Sequence, residues 1–71
     1  MTGKIAYIEP PATRNPERRT GNINADNGTF CTFPISQLVN PPEVIDGSLV
    51  GRRCVFNIEH QSDAVKVRLL D

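Results

Sequence analysis

The sequence predicts an all-β protein, a small five-stranded antiparallel barrel, and three observations carry that prediction. Short runs of alternating apolar and polar residues recur at positions 3–8, 19–24, 29–33, 53–59 and 64–70. Proline, glycine and asparagine separate them, and no stretch spaces its apolar residues at the helical period. The chain has 71 residues, enough for a single domain over its whole length, and an open sheet this small has nothing to cover its apolar face. Closure into a barrel covers that face and removes the exposed edges at once.

The elements follow in order. Residues 3–8 (GKIAYI) are rich in β-favouring side chains and stop at Glu9-Pro10-Pro11, where prolines remove ladder donors. Residues 10–18 hold Pro10, Pro11 and Pro16 without apolar rhythm, a loop long for a hairpin. Residues 19–24 read as a weak strand and 29–33 as a stronger one, joined by a hairpin at Asn27-Gly28, where positive φ is tolerated. Pro34 closes the third strand, residues 35–39 suit one helical turn, and Asn40-Pro41-Pro42 ends it. Residues 40–51 then form a loop around Val44 and Ile45.

In the fourth strand Cys54, Phe56 and Ile58 share the inner face, with Arg53, Val55, Asn57 and Glu59 outside. The fifth strand places Val65, Val67 and Leu69 inside, with Lys66 and Arg68 outside, after a polar turn at residues 60–63. Alternation turns Phe30 and Thr32 outward and Cys31 and Phe33 inward. It puts Tyr7 inside with Ile5, and only a bulge would turn that ring out.

Composition narrows the functional classes. Hydrophobic residues are 38% and charged residues 23%, a globular rather than a disordered balance. Eight basic and eight acidic side chains cancel, so affinity for a polyanion must come from local segregation of charge. No apolar run is long enough to span a bilayer and no secretory h-region follows Met1, which leads us to expect a cytoplasmic protein without membrane association. Cys31 and Cys54 then read as reduced, buried thiols, and the sequon Asn27-Gly28-Thr29 as accidental.

Catalysis is not expected. His60, the single histidine, lies in a turn, and no serine or cysteine pairs with a base. Cys31, Cys54, His60 and Asp63 lack metal-ligand spacing, and the glycines are too dispersed for a phosphate loop, so neither metal nor cofactor is expected.

Several segments carry a family likeness. Gly3-Lys4-Ile5-Ala6-Tyr7-Ile8 resembles the opening strand of cold-shock domains, G-x-V-K-W-F. Arg19-Thr20-Gly21-Asn22-Ile23 sits where that family has K-G-F-G-F-I, and Thr29-Phe30-Cys31-Thr32-Phe33 resembles its V-F-V-H-F. Leu49-Val50-Gly51 with Cys54, Phe56 and Ile58 resembles L-x-x-G-x-x-V-x-F-x-I, and Ala64-Val65-Lys66-Val67 resembles A-x-N-V. The order and approximate spacing hold over nearly the whole chain.

The resemblance implies an OB-type barrel that binds single-stranded RNA or DNA on the face of its first three strands. Tyr7 stands where the family has Trp, Phe30 and Phe33 match third-strand aromatics, and Thr32 replaces the His between them. Thr20 and Asn22 replace two stacking Phe residues. With stacking worth about 1–3 kcal/mol per base, the expected binding is weak and largely sequence-tolerant. Among the residues themselves, Lys4, Arg14, Arg18 and Arg19 form a candidate phosphate track, and Asn22 suits base edges. A different outcome is a protein-interaction barrel that kept the fold and lost the ligand, with its surfaces in loops 10–18 and 40–51.

Overall fold

A computed structural model of the chain describes residues 1–10 and 18–70. It contains strands β1 (Thr2–Ile8), β2 (Thr20–Ala25), β3 (Phe30–Pro34), β4 (Arg53–His60) and β5 (Asp63–Leu69), with short 3₁₀ turns at Ile35–Gln37 and Gly47–Leu49. The strands close into a barrel in the order β1-β2-β3-β5-β4, an all-β architecture of OB type. Neighbours run antiparallel except β3 and β5, which pair in parallel at Thr32 and Asp63. The exception is forced by parity, because directions cannot alternate all the way around a ring with an odd number of strands.

Alternation places the core. Ile23, Cys31, Phe33, Cys54, Ala64 and Val67 are fully buried, with Ile5, Ile8, Phe56 and Leu69 around them. Ile35, Ile45 and Ile58 pack against this cluster from its margins. Gly21 faces the Phe33 ring, and a Cβ there would lie 2.6 Å from Phe33 Cζ; a glycine is what admits a phenyl ring at that point of the wall.

The ladders carry three register shifts, one of them at the end of β4 between Ile58 and His60, and the other two reset the alternation of the core. In β1, Ile5 pairs with Ile23 and Tyr7 with Asn22, so Ala6 is an extra residue in the ladder. That bulge turns Tyr7 outward and returns Ile8 to the core, which corrects the inward placement expected from strict alternation. In β5, Lys66 has φ 51° and lies between the pairs Val55–Arg68 and Asn57–Val65. The inner residues are therefore Ala64, Val67 and Leu69, and Val65 is only half-buried, where Val65, Val67 and Leu69 were expected. The Gln37 side chain accepts the Lys66 N–H at 3.1 Å, satisfying the donor that the bulge frees.

The β2–β3 hairpin turns as anticipated around Asn27 and Gly28. Only Gly28 takes positive φ, 91°, with its N–H on the Ala25 carbonyl at 2.9 Å and Asn27 Oδ1 accepting the Thr29 N–H at 3.0 Å. Past β3 the chain turns through Ile35–Gln37 and rejoins β5 at the parallel bridge Leu38–Val67. Asn40 then imitates a strand partner, donating to the Leu69 carbonyl and accepting its N–H at 3.0 and 2.9 Å. Among the described residues, no helix is long and apolar enough to cross a membrane.

Candidate nucleic-acid interface

The outward side chains of β1, β2 and β3 form two rungs across the barrel wall. One runs from Lys4 through Asn24 to Phe30. The other runs from Tyr7 through Asn22 and Thr32 to Asp63. Neighbouring strands lie about 4.8 Å apart, and the two aromatic rings stand on different rungs, Tyr7 on β1 and Phe30 on β3. Tyr7 is 50% exposed and Phe30 56% exposed, large for aromatic rings in so small a protein. Asn22 Nδ2 donates to Thr32 Oγ1 at 3.1 Å, which fixes both polar groups between the rings.

The sequence-derived candidates divide into four groups. Lys4, Tyr7, Asn22, Phe30 and Thr32 lie together on this face, and Arg18 is exposed just ahead of β2. Phe33 does not belong with them: its ring is fully buried against Gly21, because its parity in β3 is opposite to that of Phe30. Arg14 lies outside the described residues.

Arg19 is drawn into the structure rather than offered to a ligand. Its Nη2 donates to the Glu9 carbonyl at 2.6 Å and to the Ile45 carbonyl. One guanidinium thereby ties the end of β1 to the long loop before β4. The partners are backbone carbonyls far away in sequence, so no local signal marks this role. Glu9 closes the same corner, its carboxylate accepting the Thr20 N–H at 3.1 Å and the Thr20 hydroxyl at 2.8 Å. Arg19→Met, which keeps the stem and removes the guanidinium, is expected to lower stability by about 1–3 kcal/mol. The urea midpoint measures it, with Arg18→Met as the exposed control expected to stay within about 0.5 kcal/mol.

The electrostatics around Lys4 are mixed. Its β4 neighbour, Arg53, contacts Asp26 at 3.4 Å across an exposed pair. The Thr2 hydroxyl, which donates to the Asp26 carboxylate, is the first cause of that group's lowered pKa, and Arg53 and Lys4 add to it. Cys31 and Cys54 are both buried and unbridged. Burial pushes the Cys54 thiol up to about 11, with the Asp26 charge adding to the effect, so it stays protonated and weakly nucleophilic near neutral pH. Among the described residues, no group of three or more His, Cys, Asp or Glu side chains is placed to hold a metal ion.

Sequence reasoning missed a groove at the far end of the Tyr7 rung. It encloses about 410 Å³ and is lined by Thr20, Thr32, Gln37, Glu59, Asp63 and Val65, among others. It opens where β3 leaves β5 after the Thr32–Asp63 bridge, before the chain rejoins β5 at Leu38. Its position depends on the parallel seam, which has no local sequence signature. Compared with protein-family models and with curated proteins, the chain matches none of them.

Proposed function

We propose that this barrel is a non-catalytic module, divergent from the cold-shock pattern, that binds single-stranded RNA or DNA weakly and with little regard to sequence. One observation carries the reading. Tyr7 and Phe30, both half-exposed, stand on one three-strand face with Lys4, Asn22 and Thr32 between and beside them. Aromatic faces take up bases whatever their identity, and a nearby cation meets the phosphate. Thr20 and Asn22 offer no ring where the cold-shock pattern has two, and Arg19 is engaged with backbone carbonyls. Both facts favour modest affinity. Such binding suits an RNA chaperone or an accessory factor in transcription or translation, acting in the cytoplasm.

An amide chemical-shift titration with short oligo-U and oligo-dT tests the reading. Shifts confined to residues 4–8 and 20–33 are expected, and a flat response to both oligonucleotides refutes it. Phe30→Ala is expected to weaken oligonucleotide binding by about 1–2 kcal/mol while changing stability by less than about 0.5 kcal/mol. Binding isotherms and urea melts of the same variant separate the two effects.

The alternative is a protein-interaction barrel, and the exposed Val39, Val44 and Val50 favour it. All three valines lie on the connection between β3 and β4, and aliphatic side chains there have no role in stacking bases. Ile45, beside them, is instead half-buried against the core.

A further inference from the structure

We infer that the groove at the β3–β5 seam is a nucleobase subsite selective for guanine, reading its Watson–Crick edge with Thr32 and Asp63. The inference rests on the nucleic-acid reading above and deepens it. The groove's volume of about 410 Å³ falls within the range of small-molecule sites, and it opens directly from the rung that begins at Tyr7. A strand stacked on Tyr7 and running along the rung carries a later base toward Thr32 and Asp63, two and three strands away.

The polar groups there have a definite sense. Asn22 Nδ2 donates into the Thr32 hydroxyl oxygen at 3.1 Å. That bond uses one lone pair of the oxygen and leaves the Thr32 proton available to donate to a base. Asp63, its partner across the seam, is exposed, and its carboxylate has no hydrogen-bond or ion-pair partner among the described residues. An ionised carboxylate only accepts, and it accepts two parallel N–H bonds well.

Across the bridge, Thr32 and Asp63 together offer one donor and two acceptors. Guanine's edge reads acceptor at O6, then donors at N1 and at the 2-amino group, the complement of that set. Uracil has one donor between two acceptors, and cytosine has one donor beside two acceptors. Either base sets at least one acceptor against the carboxylate. Adenine offers a single donor. Half-buried Val65 and buried Ala64 supply an apolar wall. Glu59, on the rim, repels phosphate and leaves the groove to a base rather than to the backbone.

The test uses the intact chain with four ribo-oligonucleotides: UUUUU, UUGUU, UUIUU with inosine, and UUAUU. Guanine is expected to raise affinity about tenfold over uracil, with adenine close to uracil. Inosine, which keeps O6 and N1–H and lacks the 2-amino group, is expected between uracil and guanine. Asp63→Asn is expected to abolish the guanine advantage, read as the ratio of UUGUU to UUUUU affinity, and Thr32→Val to reduce that ratio. A wild-type protein that binds all four oligonucleotides alike overturns the subsite and leaves the stacking face standing. Retention of the full guanine advantage by Asp63→Asn also overturns it. Failure to bind any of the four overturns both readings together.

Discussion

Phe33→Ala is expected to unfold the barrel, at a cost of about 3–5 kcal/mol. Phe33 leads the fully buried side chains in volume, and its ring fills the space that Gly21 leaves open on the facing strand. No neighbour can collapse into the vacancy without moving β2. The core of a domain this size rarely supplies more than about 3–5 kcal/mol of net stability, so the loss consumes nearly all of it. Phe56→Ala, at 3% exposure on β4, is expected to behave alike. Far-UV circular dichroism and amide dispersion at 25 °C read the outcome, and a dispersed spectrum for Phe33→Ala contradicts the core assignment. The comparison with Phe30, three residues earlier, isolates what a half-turn of strand does. One phenyl ring holds the protein together and the other faces whatever the protein meets.

Gly3→Ala is expected to cost about 3 kcal/mol, near the upper end for overpacking. Gly3 is paired on both sides, with Ala25 of β2 and with Cys54 of β4. An added Cβ would lie 2.6 Å from the Asn24 carbonyl oxygen and 2.9 Å from both Ala25 Cα and Ile23 Cγ2. Two of these neighbours are backbone atoms that rotamer changes cannot move. Relief requires opening the β1–β2 ladder at the point where β1 also binds β4. Gly47→Ala is the matched control, because a Cβ there meets nothing within 4 Å, and it is expected to leave stability unchanged or slightly raised. Thermal melts of the two variants test the difference, and equal melting temperatures refute the close-packing argument.

The fold was largely legible in the sequence because strand burial follows a period of two wherever the ladder is regular. In β2, β3 and β4 the positions of Ile23, Cys31, Phe33, Cys54 and Phe56 follow directly from alternation. In β1 and β5 it fails after the bulges at Ala6 and Lys66. A bulge is fixed by the partner strands and by distant groups such as Gln37, and the local string GKIAYI contains nothing that marks one. For the candidate site the same division applies. Phe30 was placed outward by parity alone. Tyr7 needed the bulge, Arg19 needed carbonyls contributed by Glu9 and Ile45, and the groove needed the seam. Residues whose roles depend on what lies across the barrel are the ones that local pattern misassigns.

The seam between β3 and β5 also sets the mechanics of the molecule. Ladders of five pairs each join β1 to β2 and β2 to β3, whereas β3 meets β5 through the Thr32–Asp63 bridge, with Leu38–Val67 further along. A tube slit along its length resists stretching almost as well as a whole one, but loses much of its stiffness in torsion. Twisting the two lips past each other here strains few hydrogen bonds, and it changes the width of the groove between Thr32 and Asp63. The β1–β2 ladder, which carries Tyr7 and Asn22, lies away from the slit, whereas β3, which carries Phe30, forms one of its lips. The barrel thus joins a densely paired wall to a sparsely paired gap along one line.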